Sequence, residues 1–376
     1  MLRKSGNLYD ITDPFAFDGS SCEKFFDAMR ESFNQHFYNS DFYYKLCQSQ
    51  NFTPSSLNNF EDIYKIPYIF VNNFKEFEII SVPEEKIKLE LTSSGTSGQR
   101  SRIVLDKISY DRILKIVRNI YGALGMVDDA REVNYICFTY DPRVAKNVGT
   151  AFSDKVLTGL APRHEVYYAI QFDKKKNDFF LNEEGVKEQF IKYSRDKKHP
   201  LRVLGFPAFI YKILTELRAE RGKNFSFHPD SFVMTGGGWK GQQEKEIVKS
   251  RFKAEIGEIL GIAPENTRDC FGMVEHGIPY VECEKSNIHV PIYSLAAVRD
   301  PLTHERLGYD AAGLLHLYTP YINSVPSISL LCTDKAVLRK NCGCGRAGDY
   351  IELAGRGGVK KHKGCAIHAA ELLSKR

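Results

Sequence analysis

The chain has 376 residues, a formal net charge of +5, 43% hydrophobic residues and 26% charged residues. These values fit one large domain or two, with ample length to bury a core, and exclude a long disordered chain. So mild a positive balance, with no basic run interleaved with aromatics, argues against nucleic acid and suits a small anionic ligand.

The opening stretch MLRKSGNLYDITDPFAFDGSS has no apolar core of signal-peptide length. No apolar run approaches the roughly 18 to 20 residues of a membrane span. The nine cysteines are scattered apart from Cys342 and Cys344, which predicts free thiols in a reducing cytoplasm. Oligomeric state leaves no mark in the pattern.

From Ser21, the residues Cys22, Phe25, Phe26, Met29, Phe33 and Phe37 recur at helical spacing, with Ser20 or Ser21 as the cap. A second short helix is expected around 41–48. From about residue 87, short apolar or alternating runs read as strands: KIKLEL, VNYICFTY (133–140), EVYYAIQF (165–172), LRVLGF (201–206) and SFVMTGG (231–237). Helical periods lie between them: Ile113, Val117, Ile120 and Tyr121; then Phe209, Ile213 and Leu217; then Ile247, Phe252, Ile256 and Ile259. Strands alternating with helices argue for an α/β fold with a largely parallel sheet. After about 275 the helical periods stop, and segments such as GLLHLYTP (313–320) predict a β-rich region.

Ligands of open parallel sheets sit at the carboxyl ends of the strands, so the loops after strands are searched for chemistry. The first loop, LTSSGTSGQRSR (91–102), is built of Ser, Thr and Gly, whose backbone N–H groups and hydroxyls suit an anion nest. It lacks the Gly-Lys-Ser/Thr of a Walker loop. The second, TGGGWK (235–240), offers bare backbone to a flat ring beside the single tryptophan, Trp239. The third, RDCFGMVEHG (268–277), sets Glu275 as a carboxylate for magnesium. The fourth, LLCTDK (330–335), sets Asp334 at a strand end, where a carboxylate accepts from two ribose hydroxyls. Each loop also has a plainer reading: a surface turn, a tight turn with a packed tryptophan, or a solvated carboxylate.

The order of these four loops resembles that of the adenylate-forming enzymes, which join a carboxylate to AMP. In them the hydroxyl–glycine loop cradles the triphosphate, the glycine turn meets the adenine, the glutamate holds magnesium and the aspartate grips ribose. Segments ECEKSNIHV (282–290), VRDPLTHERLG (298–308), CGCGR (342–346) and AGR (354–356) resemble the phenylacetate–CoA ligase branch. HFYNSDFYYKLC (36–47), IPYIFVNNFK (66–75), TGGGWK and KGCA (363–366) are more similar still to the acyl-protein synthetases of luminescence operons.

The resemblance implies the α/β architecture of the adenylate-forming N-terminal domain, with layered sheets and helices plus a β-rich subdomain, and with the C-terminal domain largely missing. The expected division is an adenylation domain over 1–353, then an arm over 354–376. Within that domain a helical segment spans 1–85, an α/β core spans 86–275 and a β-rich segment spans 276–353. ATP and Mg2+ are the implied cofactors. Nucleotide-binding residues would be Ser93, Ser94, Gly95, Thr96, Ser97, Gly98, Gly236, Gly237, Gly238, Asp269, Phe271, Gly272 and Asp334. Glu275, Arg356, Lys363 and Cys365 would serve catalysis.

Cys365 lies among Lys360, Lys361, His362 and Lys363, whose charges favour its thiolate, the nucleophilic form. The same cysteine also reads as a small apolar residue of a terminal helix, beside Ala369 and Leu372. By the resemblance it takes a fatty acyl group from the adenylate and passes it to an acyl reductase. A CoA ligase and an inactive nucleotide- or carboxylate-binding protein are the rival readings. Cys283, His289, Cys342 and Cys344 have the donor types of a structural tetrahedral zinc site, with Cys332 or His276 as substitutes; unligated thiols in a turn are the alternative.

Overall fold

The computed structural model describes residues 6–92, 101–141, 155–173, 175, 177–239 and 246–356. The chain forms two compact units, one of residues 1–123, 273–278 and 287–376, the other of 124–272 and 279–286.

The first unit opens with the helix Gly19–Asn39. Its cap is Asp18 rather than either serine: the Ser21 N–H donates to Asp18 Oδ1 at 2.6 Å and the Asp18 N–H donates to Ser21 Oγ at 2.9 Å. This reciprocal box satisfies two of the orphan donors at the helix start. Phe25, Met29, Phe33 and Phe37 form the buried face, whereas Cys22 at the edge of the stripe is exposed. The helix Asp41–Ser49 follows on the cap Ser40.

Next come the short strand β1 (Ile69–Phe70) and the strands β2 (Ile87–Thr92) and β3 (Arg102–Asp106). β2 is the KIKLEL run, but it does not enter a parallel sheet. It pairs antiparallel with β3 in a two-stranded sheet. The helix Lys107–Ala123 then buries Ile113, Val117, Ile120 and Tyr121, as their spacing predicts.

The second unit holds β4 (Val133–Tyr140), β5 (Arg163–Asp173), β6 (Asp178–Leu181), β7 (Leu201–Gly205), β8 (Phe232–Gly236), β9 (Thr267–Phe271) and β10 (Tyr280–Val281). They form one sheet in the order β10-β9-β8-β7-β4-β5-β6. The five inner strands β9, β8, β7, β4 and β5 run parallel, and an antiparallel strand closes each edge. β4, β7 and β8 are near-continuous apolar runs because both their faces are covered.

Three helices, Glu183–Arg195, Pro207–Arg221 and Lys249–Leu260, supply Phe190, Ile213, Leu217 and Ile256 to the same core as Ile136, Val203 and Val233. Each large side chain buried there contributes about 2 kcal/mol.

The chain returns to the first unit through β11 (Ile288–His289), β12 (Leu295–Arg299), β13 (Arg306–Leu307), β14 (Ala312–Tyr318), β15 (Ser329–Arg339) and β16 (Tyr350–Arg356). These make an antiparallel sheet, β11-β16-β15-β14-β12-β13, and β1 adds to it in parallel against β15. No helix occurs among the described residues after 275. No helix of the described residues is long and apolar enough to cross a membrane.

Candidate active site

In the second unit, the carboxyl ends of β8 and β9 lie side by side, with Thr235 opposite Asp269 and Gly236 opposite Cys270. From Gly236 the chain turns through Gly237 at φ +75° and Gly238 at φ +68°. Two successive left-handed residues are costly for any side chain with a Cβ, so the turn requires its glycines. The backbone of 237–238 is exposed. Trp239 does not join this bare surface. It is partly buried and packs edge-on against Tyr211 and Phe252 at the margin of the core, with centroids 6.0 and 6.1 Å apart.

A polar network underlies the turn. Thr235 Oγ1 donates to Asp269 Oδ1 at 2.9 Å, and the Asp269 N–H donates to Glu282 Oε2 at 2.9 Å. Glu282 is fully buried and takes Lys249 Nζ at 2.7 Å and Lys253 Nζ at 2.6 Å. Burial pushes the Asp269 carboxyl above its ordinary range, and the charge of Lys249 opposes that shift. Burial works against the Lys249 charge, but Glu282 and Asp269 outweigh it and hold the ammonium on. Phe271 is buried, and Gly272 fits because a Cβ there would lie 3.2 Å from Pro279 Cα.

The loop pattern pointed to Asp269 but not to Lys249, Lys253 or Glu282. The available signal was the i,i+4 pair of lysines on one helix face.

In the first unit, Glu275 is 4% exposed. Burial raises its pKa; a hydrogen bond with the Ser101 side chain and the charge of Lys75 oppose the rise, and the Asp334 carboxylate adds to it. Asp334 is not at a strand end as expected. It lies inside the eleven-residue β15, at the irregularity between Asp334 and Ala336, opposite Arg356 of β16.

Burial, then the charges of Asp334 and Glu275, push the Cys332 thiol well up. Two carboxylates and a thiol therefore share one field, with Glu275 buried, which is the arrangement a divalent cation relieves. Neither Ser101 nor Lys75 was given a role from the sequence, although Ser101 lies within the hydroxyl–glycine loop 91–102. His276 is buried, its pKa lowered to about 3 by desolvation, and its carbonyl accepts from the Tyr321 hydroxyl at 2.8 Å.

The first unit also gathers His289, Cys342 and Cys344, whose ligand atoms lie within 4.8 Å of one another. Cys344 Sγ is 3.2 Å from His289 Nε2, and Asn287 Nδ2 donates to Cys342 Sγ at 3.2 Å. Cys283, in the other unit, is buried and accepts from the Lys285 N–H at 3.4 Å. The substitutes Cys332 and His276 take no part in this cluster, since their neighbours are Met273 and Tyr321.

Ser93, Ser94, Gly95, Thr96, Ser97, Gly98, Lys363 and Cys365 lie outside the described residues, as does the side chain of Arg356.

A family model described as "Acyl-protein synthetase, LuxE" matches residues 5–374. The chain is 24% identical over 347 residues to a long-chain-fatty-acid–luciferin-component ligase of Vibrio harveyi, covering 92% of this chain and 87% of that protein. It is 27% identical over 355 residues to the protein of the same name from Aliivibrio fischeri, covering 92% and 88%. In fold it is similar to 2-hydroxyisobutyryl-CoA ligase in the postadenylation state with 2-HIB-AMP, at TM-score 0.65 and 16% identity, over 92% of this chain and 71% of that one. An open conformation of that ligase with 2-HIB-AMP and CoA gives TM-score 0.65 at 17% identity, over 94% and 80%. The mixed α/β architecture is thus that of adenylate-forming ligases.

Proposed function

The chain belongs to the acyl-protein synthetase family, and from that premise we propose that it activates a fatty acid with Mg-ATP and takes the acyl group onto its own Cys365. A carboxylate oxygen of the fatty acid attacks the α-phosphorus, and pyrophosphate leaves. The Cys365 thiolate then attacks the carbonyl carbon of the acyl-adenylate, and AMP leaves with its electron pair. The thioester is delivered to an acyl reductase.

The observation that carries the first step is Glu275, a buried carboxylate in the field of Asp334. It is the residue to hold magnesium, which when bound offsets charge on the phosphates. Ser93, Ser94, Gly95, Thr96, Ser97 and Gly98 would donate to the pyrophosphate oxygens. Gly236, Gly237 and Gly238 would meet the adenine with bare backbone, beside Asp269, Phe271 and Gly272. Asp334 would hold the ribose. Arg356 and Lys363 would supply positive charge to the reacting phosphate and carboxyl.

His289, Cys342 and Cys344, with Cys283 as the fourth ligand read from the sequence, suit a structural zinc ion: soft thiolates and imidazole in a set of four leave no position for substrate. The scattered cysteines of the sequence suit a reducing compartment, and on that ground we place the protein in the cytoplasm.

ATP–pyrophosphate exchange tests the first half-reaction. Exchange is expected to need both a fatty acid and Mg2+, and to fall at least about 100-fold in Glu275→Gln. No exchange with any carboxylate would turn the protein into a binder of nucleotide alone.

A further inference from the structure

We propose that Glu132, His164 and His199 form a second metal site, for a zinc-like divalent ion, at the amino ends of three adjacent strands in the second unit. Glu132 immediately precedes β4, His164 is the second residue of β5, and His199 lies two residues before β7. β4 pairs in parallel with both β5 and β7, so the register brings the three residues to one edge. Within the unit this is the opposite edge from Gly236 and Phe271, which end β8 and β9. The site is therefore separate from the nucleotide-binding loops, and its role is to clamp strands.

The three ligand atoms lie within 4.8 Å of one another. Glu132 Oε2 is 3.4 Å from His164 Nδ1 and 3.7 Å from His199 Nε2. Donors around a tetrahedral ion with bonds of about 2.0–2.1 Å stand roughly 3.3 Å apart. The spacing is thus that of ligands sharing an ion.

His199 carries the second observation. It is 9% exposed, and its buried Nε2 has no hydrogen-bond partner among the described residues. The other ring nitrogen, Nδ1, is 2.7 Å from Asp196 Oδ2 and donates to it. Asp196 is itself anchored by Asn134 Nδ2 at 3.0 Å and by the N–H groups of Lys198 and His199 at 3.0 and 3.1 Å. A carboxylate holding one imidazole nitrogen leaves a lone pair on the other, which is how histidine ligands of metals are oriented. Here that lone pair faces the Glu132 carboxylate, so two acceptors confront each other, and a cation between them resolves the conflict.

The His164 ring stacks on His199 with centroids 3.9 Å apart, and its side chain is 40% exposed. It has room to tilt toward the same ion while Asp196 holds His199 still. Two imidazoles and a carboxylate, with water in the fourth position, select zinc-class ions over magnesium or calcium.

The test strips the full chain with a chelator, then titrates it with Co2+ as a spectroscopic probe and with Zn2+ in competition. A Co2+ population lacking the thiolate charge-transfer band is expected, displaced by Zn2+. It should vanish in His164→Ala, weaken at least tenfold in Glu132→Gln, and weaken about 10- to 100-fold in Asp196→Asn. Thiolate-bound Co2+ should stay unchanged in all three. Because His164 and Glu132 are on the surface, loss of fold does not confound those variants. Thiolate-free Co2+ binding of wild-type strength in His164→Ala, or its absence from the wild type, overturns the proposal.

Discussion

Lys253 and Glu282 form a buried ion pair with Nζ 2.6 Å from Oε2. Lys253 also donates to Ser286 Oγ at 2.7 Å, while Glu282 takes Lys249 and the Asp269 N–H as well. The carboxylate thus ties the helix Lys249–Leu260 to the middle of β9. Breaking a buried pair from one side leaves an uncompensated charge, which costs far more than the pair itself contributes. Glu282→Gln is expected to destabilise the second unit by about 3 kcal/mol, read as a shift in the urea unfolding midpoint. Lys253→Met combined with Glu282→Leu should recover some of that loss, whereas a Glu282→Gln chain as stable as wild type would contradict the network.

Gly238 separates backbone strain from ligand contact. A Cβ at Gly238 meets nothing within 4 Å, so its substitution costs only the left-handed conformation at φ +68°. Gly238→Ala is expected to lose about 1 kcal/mol of stability, and Gly238→Asn less, because asparagine tolerates that region. If adenine lies on this backbone, KM for ATP rises in both variants, and more than the stability change explains. An unchanged KM in the folded Gly238→Asn chain would move the adenine elsewhere.

Glu275 makes stability depend on pH. Its folded pKa is raised, so the folded chain holds the proton more tightly than the unfolded one, whose carboxyl has the ordinary value of 4.5. The associated stability is present below about pH 4.5 and is lost as pH rises through the folded pKa. At neutral pH without metal the ionised group is therefore a liability. Thermal unfolding in chelator should show Glu275→Gln gaining on wild type as pH rises, and Mg2+ with ATP should close the gap by stabilising the wild type alone. A gap independent of pH would contradict the buried, cation-seeking carboxylate.

The thiol cluster predicts bound metal. Purified chain should carry zinc, measured by elemental analysis. Cys344→Ser, which removes the sulfur 3.2 Å from His289 Nε2, should lose about one zinc ion per chain, leaving any ion held by His164 and His199, and should lower Tm. Zinc content unchanged in Cys344→Ser would show that the cluster is only a set of packed thiols.

Local periodicity made the helices legible. Ile113, Val117, Ile120 and Tyr121 bury the face that their spacing indicates. The helix Glu183–Arg195 was not among the helical periods read, yet its signals were present: Asn182 caps the Gly185 N–H at 3.0 Å, two glutamates open it, and Val186, Phe190 and Tyr193 share a face. Charged residues between those three diluted the apolar count.

Strand pairing was harder, because it is settled by residues far away in the chain. KIKLEL is visible as a strand, but nothing local says that it pairs with 102–106 instead of entering the parallel sheet. Asp334 was found by its loop order yet misplaced at a strand end, since an irregularity inside β15 leaves no local mark. The His164–His199–Glu132 cluster was invisible for the same reason: only the β5-β4-β7 neighbourhood brings those residues together.

The central claim is acyl transfer to Cys365, and intact-mass measurement tests it directly. After incubation with ATP, Mg2+ and a long-chain fatty acid, the wild-type chain should gain one acyl group that hydroxylamine removes, and Cys365→Ser should gain none while retaining ATP–pyrophosphate exchange. The same hydroxylamine-labile adduct on Cys365→Ser, or thioester formed only on added CoA, would contradict the account.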